Sequence, residues 1–243
     1  MKKRTKFYNF IRKIIAFFNG KYKFYGLENI TEPSVIIGNH SQMSGPLVAE
    51  LSFPLPKETW VAGQMINVKE IPDYAMQDFW GHRSKKFKWF YKILSKLIAR
   101  PFAYCISGAD VIPVYKDSRI LVTFKDSVRA LLDNKNLIIF PEEHSAYNEI
   151  INNFQLNFIE IAKIYFSKTG KRLPFIPMYI APKLKKVVIG KPIYYNNELS
   201  LIENKEVISK YLMDEITSIA KSLPKHTVIP YDNVRKKQYQ KSK

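Results

Sequence analysis

The chain has 243 residues, and 39 Lys and Arg against 21 Asp and Glu give it a net charge of +18. A chain of this length can form one domain with a sizeable core, and no long polar linker divides the sequence, so we expect a single domain. The single cysteine, Cys105, excludes an internal disulfide framework, and the excess of positive charge predicts contact with a polyanion or an anionic membrane.

The first twenty residues, "MKKRTKFYNFIRKIIAFFNG", mix cationic and apolar side chains. Apolar residues recur at helical spacing at Phe7, Phe10, Ile14 and Phe18, and the intervening lysines and arginines supply the charge. This pattern is typical of a helix that lies in a membrane interface. We therefore expect residues 1–20 to form an amphipathic interfacial helix.

The same segment argues against a spanning helix or a secretory signal. No apolar run reaches the ~18 residues needed to cross a bilayer, and Arg12 and Lys13 interrupt the N-terminal apolar stretch. The sequence predicts a cytoplasmic protein that associates peripherally with the inner face of the cell membrane, with an anionic lipid surface as a partner.

A second basic stretch, residues 83–100, contains no acidic residue. Its apolar side chains share one helical stripe, formed by Trp89, Phe90, Ile93, Leu97 and Ile98. Two interpretations are open. The stripe either packs on the core while the charges face water, or it makes a second contact with the membrane.

Short apolar runs alternate with longer amphipathic stretches along the rest of the chain. The predicted strands are "SVIIG", "TWVAG", "DVIPVY", "NLIIFP", "FIPMYI" and "KKVVIGKPI". The predicted helices lie near residues 45–53, 85–99, 117–133, 153–169 and 203–222. This alternation predicts the α/β class for residues 21–230. Residues 231–243, which are rich in lysine, are expected to form a disordered basic tail.

Polar residues follow three of these strands. Asn39 and His40 come directly after "SVIIG", and "FPEEH" ends the run that begins "NLII". Open α/β sheets gather their binding sites at the carboxyl ends of strands, so the two loops are expected to converge. Lys116 and Arg119 follow a further strand, "VIPV". The combination predicts an imidazole that acts as a base beside an anion.

These residues lie in blocks that resemble those of the glycerophospholipid acyltransferases, the family that includes lysophosphatidic acid acyltransferase. The family's N-H-x-x-x-x-D block is similar to "NHSQMSG", its G-x-I-P-V-x-R block to "ADVIPVYK" and its F-P-E-G-T-R-S block to "FPEEHSA". Its V-P-V and x-x-x-G-x-P-I strands are similar to "FIPMYI" and "VVIGKPI". The five blocks keep the family's order from about residue 35 to residue 193. The resemblance implies one domain with a mixed, mostly parallel sheet flanked by helices.

The resemblance also implies a reaction. An acyl group would pass from an acyl-CoA or acyl-carrier-protein thioester to a hydroxyl of a glycerol-phosphate or lysophospholipid-like acceptor, with no further cofactor. His40 would be the general base, a role that contributes about 10²–10⁴-fold. Lys116 corresponds to a phosphate-binding arginine of the family and Glu142 to the glutamate of its third block, while Arg119 is added because guanidinium binds phosphate well. The residues expected to bind substrate are Asn39, Ser41, Ser44, Lys116, Arg119, Glu142, Glu143 and His144.

The chain departs from the family pattern at two places. Gly45 replaces the aspartate that orients the histidine, so Glu50, Glu142, Glu143 or a backbone carbonyl would have to hold the ring. The third block carries Glu143, His144 and Ser145 in place of Gly-Thr-Arg, which favours a different acceptor head group or a loss of activity. A catalytically silent lipid-binding protein with the same fold is therefore the alternative function.

Other classes of function find less support in the sequence. No Gly-x-x-Gly clamp, aromatic strand pair or zinc-finger spacing is present, so no nucleic-acid partner is expected. His82 and His226 are scattered along the chain, without the spacing of metal ligands, so no metal site is expected. Ser41 lacks the G-x-S-x-G elbow that exposes the nucleophile of a serine hydrolase.

Overall fold

A computed structural model describes residues 6–80 and 85–242. The first five residues of the predicted interfacial helix, His82, the first two residues of the second basic stretch and Lys243 lie outside the described residues. The side chain of Phe7, expected on the apolar face of that helix, lies outside the description as well.

Ten strands and seven α-helices form the described part of the chain. The strands are β1 (Lys23–Tyr25), β2 (Val35–Gly38), β3 (Lys57–Ala62), β4 (Val111–Val114), β5 (Asn136–Ile139), β6 (Glu142–Ala146), β7 (Asn152–Phe154), β8 (Pro174–Ala181), β9 (Lys186–Ile189) and β10 (Ile193–Tyr194). The helices are α1 (Lys6–Asn19), α2 (Ser44–Leu51), α3 (Ile71–Gln77), α4 (Lys88–Gly108), α5 (Ile120–Leu132), α6 (Glu160–Thr169) and α7 (Leu201–Ser222).

The main sheet has the strand order β1-β9-β8-β2-β5-β3-β4, and β10 pairs with β8. The pairs β1–β9, β8–β2, β2–β5, β5–β3 and β3–β4 are parallel, whereas β8–β9 and β8–β10 are antiparallel. Strands β6 and β7 form a separate antiparallel ribbon. The predicted α/β class and the mixed, mostly parallel sheet are thereby confirmed.

The central strands β2, β5 and β8 are buried along their whole length. On one face of the sheet, Val35 and Ile37 pack in a core shared with α5, α6 and α7; on the other, Ile36 packs in a core with Val48 and Ala49 of α2. Successive residues of a strand point to opposite faces. Helices on both faces therefore explain why these strands are continuously apolar in sequence.

The sequence predicted most elements and missed the short ones. Each predicted strand run contains a strand, but "KKVVIGKPI" is divided near Gly190 into β9 and β10. Strand β1, helix α3 and the β6–β7 ribbon were not predicted, because each is too short to show a periodic apolar pattern. The helix expected near 153–169 begins later, at Glu160, because the preceding residues pair in β7 and then form a turn.

Helix α1 is attached to the domain through Tyr8 and Arg12, and Arg12 Nη2 donates to the carbonyls of Glu50 and Leu51 at 3.3 and 3.2 Å. Tyr8 is buried, and its hydroxyl donates to Glu50 Oε1 of α2 at 2.6 Å. Its ring lies against Gly108 of α4 so closely that a Cβ there would come within 2.6 Å. The opposite side of α1 has no such packing, since Phe17 and Phe18 are 81% and 80% exposed.

Helix α4 also exposes apolar side chains. Ser95, Ala99 and Ala103 are its buried residues, whereas Trp89 and Leu97 are 66% and 70% exposed. The apolar stripe predicted for this segment therefore faces outward, and the small residues face the core. In the described residues, no helix combines the length and the apolar character that spanning a bilayer requires.

Residues 231–242 fold back on the domain, unlike the disordered tail that their composition predicts. Thr227 and Lys241 form an isolated antiparallel bridge, and Ser242 is fully buried. The Tyr239 hydroxyl donates to Gln42 Oε1 at 3.1 Å. The high lysine content of this segment predicts that its charged side chains are solvated. It gives no sign that Tyr239 and Ser242, which lie among those lysines in the sequence, pack on the domain.

Candidate active site

The loops after β2 and β5 meet at one edge of the sheet. Because these strands are parallel and paired in register, the residues that follow them are neighbours. The backbone N–H of His40 donates to Glu142 Oε1 at 2.6 Å, and the N–H of Asn152 donates to Glu142 Oε2 at 3.0 Å. One carboxylate therefore connects the histidine loop to the β6–β7 ribbon.

Glu142 makes these contacts from a buried position, since it is only 4% exposed. Burial raises the pKa of its carboxyl group to about 7, and the two backbone N–H donors from Asn152 and His40 oppose that shift. Glu142 was expected to bind substrate. Its oxygens instead accept backbone hydrogen bonds, so it supports the loop.

Asn39 joins the end of β2 to β8. Its side-chain amide donates to the Ile180 carbonyl at 3.0 Å and to Ser41 Oγ at 2.7 Å, and the Ile180 N–H donates back to Asn39 Oδ1 at 2.7 Å. Asn39 and Ser41 are 2% and 1% exposed. Both were expected to bind substrate, but their burial and mutual bonding assign them to the support of the loop.

A tight turn leads from His40 into α2. Ser41 and Gln42 have left-handed backbone angles, with φ of 46° and 52°, and the N–H of Gly45 donates to the His40 carbonyl at 3.0 Å. A Cβ at position 45 would come within 2.5 Å of that same oxygen. Glycine is thus required here by the close approach of the helix to the loop. Ser44, the first residue of α2, is half-buried beside this turn.

The imidazole of His40 lies between two aromatic rings. The ring centroid of Phe140 is 5.6 Å away with an interplanar angle of 72°, and that of Tyr231 is 5.4 Å away at 88°. Burial lowers the pKa of His40, opposed by the nearby Gln42 backbone and by the negative charge of Asp78. The neutral imidazole is therefore the favoured form near pH 7.

The ring is not held by any of the carboxylates expected to replace the missing aspartate. Within the described residues, His40 Nδ1 is buried and has no hydrogen-bond partner. Glu50 bonds to Tyr8 and Lys57 instead, and Glu143 accepts a hydrogen bond from the Ser145 hydroxyl at 2.7 Å. Apart from the charge of Asp78, the groups that act on the imidazole are the rings of Phe140 and Tyr231 and the backbone of Gln42, the last of which corresponds to the expected backbone carbonyl.

Three further residues of the site were missed by sequence reasoning. Tyr231 contacts the rings of both His40 and His144, the latter at 5.1 Å. Asp232 Oδ1 lies 2.6 Å from His144 Nδ1, and the charge of Asp78 acts on His40. Asp78 follows the unpredicted helix α3, and the other two lie in the segment expected to be disordered. No local motif marks any of them.

Lys116 and Arg119 lie at the end of β4, away from His40. Strands β5 and β3 separate β4 from β2, and neighbouring strands are about 4.8 Å apart. Arg119 donates to Asp117, with Nη2 2.7 Å from Oδ2, and stacks over the Tyr115 ring at 4.0 Å. Lys116 is exposed. The two cations therefore occupy the same edge of the sheet as His40 without contacting the imidazole pocket.

No protein-family model and no curated protein matches the chain. Among solved structures, the chain is similar to the crystal structure of the 1-acyl-sn-glycerophosphate (LPA) acyltransferase PlsC from Thermotoga maritima. The sequence identity is 14% and the TM-score 0.45, over 90% of this chain and 84% of that chain. A likeness of this size does not assign the chain to a family.

The close approach at Gly45 yields the first prediction. Gly45→Ala and Gly45→Asp should each lower the free energy of unfolding by about 1–3 kcal/mol, the usual cost of overpacking, because the new Cβ displaces the His40 carbonyl. Urea denaturation measures the loss, with Ser44→Ala in the same helix as the control. A Gly45→Asp protein that keeps wild-type stability and gains turnover would mean that a carboxylate can be accommodated beside the ring.

Proposed function

We propose that the protein is an acyltransferase, which moves a fatty acyl group from an acyl-CoA or acyl-carrier-protein thioester to a hydroxyl of a glycerol-phosphate or lysophospholipid-like acceptor. The observation that carries the proposal is the imidazole of His40 at the carboxyl end of β2, packed between Phe140 and Tyr231 where burial lowers its pKa. This histidine lies in the sequence block that resembles the acyltransferase motif. The motif blocks support the reaction class, and the lowered pKa of His40 favours the neutral imidazole that a base requires.

In the proposed reaction, His40 accepts the proton of the acceptor hydroxyl as its oxygen attacks the thioester carbonyl. The new C–O ester bond forms, the C–S bond breaks, and the sulfur leaves as a thiolate that takes a proton from His40 or from water. Transfer of a proton to a positioned base contributes about 10²–10⁴-fold to the rate. No cofactor beyond the acyl donor takes part.

The acceptor's phosphate is assigned to the cationic end of β4. Lys116 is exposed there, and Arg119 is exposed while paired with Asp117. Glu143, His144 and Ser145 lie on β6, where the family block has Gly-Thr-Arg. Because Ser145 takes the place of the arginine, this part of the site lacks that cation, and the acceptor head group is expected to differ from a simple phosphate monoester.

Incubation of the purified protein with both classes of acyl donor and a panel of lyso-lipids and glycerol phosphate tests the reaction. Mass spectrometry should detect an acylated product, and His40→Ala should abolish its formation without loss of the circular dichroism spectrum. Burial lowers the pKa of the His40 imidazole below its ordinary value, so less acidic conditions leave the base neutral. The wild-type rate should fall only as the pH drops through that lowered pKa.

Two results would contradict this proposal. A His40→Ala protein with the wild-type rate would exclude His40 as the base. A folded wild-type protein that forms no product with either donor class would favour the silent lipid-binding alternative, and retention of lyso-lipid by that protein would support it directly.

The proposed phosphate site makes a separate prediction. Lys116→Ala should raise KM for a phosphorylated acceptor by roughly tenfold, the lower end of what a hydrogen bond to a charged group contributes, and should leave an uncharged acceptor nearly unaffected. Lys125→Ala, which removes the same charge from the exposed side of α5, is the matched control. Equal effects of Lys116→Ala on both acceptors would show that Lys116 does not bind the phosphate.

We also propose that the exposed sides of α1 and α4 bind an anionic membrane at the inner face of the cell. The apolar side chains of this α1–α4 surface are Phe10, Ile14, Phe17, Phe18, Trp89, Phe90, Ile93 and Leu97, all exposed. Lysines at positions 86, 88, 92 and 96 are exposed on α4 or just before it. Each basic residue near such a surface contributes about 1 kcal/mol, and the attraction fades within the Debye length of about 10 Å at 0.1 M salt.

Point substitutions on this surface test membrane binding without disturbing the fold. Phe17→Ser with Phe18→Ser removes two exposed rings from α1 and retains Tyr8, which a deletion of residues 1–18 would remove. The double variant should co-sediment less with vesicles containing phosphatidylglycerol, and salt should weaken the binding of the wild-type protein. Sedimentation with neutral phosphatidylcholine vesicles should be weak throughout.

The matching α4 variant, Trp89→Ser with Leu97→Ser, separates the two helices. Leu121→Ser serves as the control, because Leu121 is 68% exposed on α5, outside the α1–α4 surface. If neither double variant binds less than the wild-type protein, or if the wild-type protein fails to bind anionic vesicles at low salt, the membrane proposal is wrong.

A further inference from the structure

Residues 226–242, here called the strap, cross the loops that surround His40. Their two ends are tied together, since the Val228 N–H donates to the Gln240 carbonyl at 2.9 Å and the Ser242 N–H to the His226 carbonyl at 2.9 Å. The strap is anchored to the sheet through His226, whose Nε2 lies 2.8 Å from the Tyr179 hydroxyl of β8. Val228, His226, Ser242 and Tyr179, which form these bonds, are buried.

The middle of the strap bonds to three parts of the domain near the imidazole: β6, the β2–α2 loop and the residues after α3. The Asp232 side chain pairs with His144 of β6, and its carbonyl accepts a hydrogen bond from Gln42 Nε2 at 3.1 Å. Asn233 Nδ2 donates to the Asp78 carbonyl, beyond α3, at 2.8 Å. The two residues that follow Tyr231 are therefore bonded to three separate parts of the domain, which holds the backbone next to Tyr231 in place.

The strap places Tyr231 against the imidazole of His40, the proposed base, whose orientation determines which way its nitrogen atoms point. Tyr231 and Phe140 contact the His40 imidazole at centroid distances of 5.4 and 5.6 Å, both close to perpendicular. Edge-to-face contacts in this distance range are a preferred arrangement of aromatic rings. Phe140 follows β5 within the sheet's own framework, whereas Tyr231 arrives only because the strap folds back.

We propose that Tyr231 is a positioning residue for His40, and that the strap thereby takes over the orienting role that a hydrogen-bonded carboxylate performs in other histidine bases. A carboxylate orients an imidazole and also stabilises its protonated form. Packing against Tyr231 and Phe140 orients the ring by shape and excludes water, which disfavours the protonated form. The two arrangements therefore differ in the protonation behaviour of the base.

The effect on catalysis rests on the acyltransferase proposal, but the effect on the imidazole does not. Selective labelling of the four histidines in the chain allows NMR titration of each ring, and His40→Ala identifies the His40 signal. The titratable groups around this ring are Asp78, Glu142, Tyr231, Asp232 and His144. Substitutions of Tyr231 leave the other four groups unchanged, so a shift of the His40 pKa reports on the loss of Tyr231.

Three substitutions separate the ring contact from burial. Tyr231→Ala should open the pocket and raise the His40 pKa toward its ordinary value of 6.5, with a loss of turnover of about 100-fold, as for other misplaced catalytic groups. Tyr231→Phe should keep the pKa low and recover most of the lost turnover. Tyr231→Leu keeps apolar bulk, so it should keep the pKa low but weaken the proton–proton NOEs between His40 and Phe140 and reduce turnover.

A matched control is Tyr25→Ala, because Tyr25 is an exposed tyrosine on β1 at the far edge of the sheet. It should alter neither the His40 pKa nor turnover. The proposal is overturned if Tyr231→Ala leaves the His40 pKa at the wild-type value, or if Tyr231→Leu retains both the NOEs and the wild-type rate. If the Tyr231→Ala protein does not fold, the NOEs and turnover of Tyr231→Leu are compared with those of Tyr231→Phe, and that comparison tests the proposal.

Failure of this inference and failure of the proposed function give different results. A wild-type protein without acyltransferase activity leaves the titration and NOE measurements intact, and these still test whether Tyr231 positions the ring. If the wild-type protein is active but Tyr231→Ala does not change the His40 pKa, the proposed reaction is retained. The positioning role of Tyr231 is then wrong.

Discussion

The site depends on the buried carboxylate of Glu142, which accepts the backbone N–H of His40 on one oxygen and that of Asn152 on the other. One donor lies in the loop after β2 and the other begins β7, and a polar group left buried without a partner costs about 1–3 kcal/mol. The two bonds fix the β2–α2 loop relative to the β6–β7 ribbon. The ribbon in turn carries His144 to the position where Asp232 meets it.

The same loop connects the imidazole pocket with the outer surface of the protein. Gly45 lets α2 approach the His40 carbonyl, and Glu50, farther along α2, binds the hydroxyl of Tyr8 in α1. One short helix thus relates the position of the proposed base to that of the proposed membrane-binding helix. A long-chain acceptor would stay partly in the bilayer, so a fixed geometry between these two elements would serve the proposed reaction.

The pocket and the rest of the surface differ in their electrostatics. The chain carries a net charge of +18, yet the His40 ring is enclosed by aromatic rings and lies near the carboxylates of Asp78 and Glu142. Burial lowers the pKa of the imidazole and raises that of Glu142. Both shifts reduce the charge inside the pocket, whereas the cations Lys116 and Arg119 lie outside it, at the end of β4.

The sequence by itself determined the α/β class, the strand runs and the convergence of the His40 and Glu142 loops. Those properties follow from local patterns: buried parallel strands are apolar along their whole length, and their carboxyl ends share one edge of the sheet. It also singled out Gly45, but only as a missing carboxylate. Sequence position gave no indication that a helix lies against the His40 carbonyl at that point.

Only the tertiary structure decided what surrounds the imidazole. Tyr231 is almost two hundred positions from His40 in the chain, and no spacing rule connects residues brought together by a segment that folds back. Strand order likewise decided that Lys116 and Arg119 lie two intervening strands away from His40, since sequence order does not specify which strands pair. Contacts between distant segments depend on packing of the whole domain, whereas the local patterns that the sequence displays depend on the backbone of each segment alone.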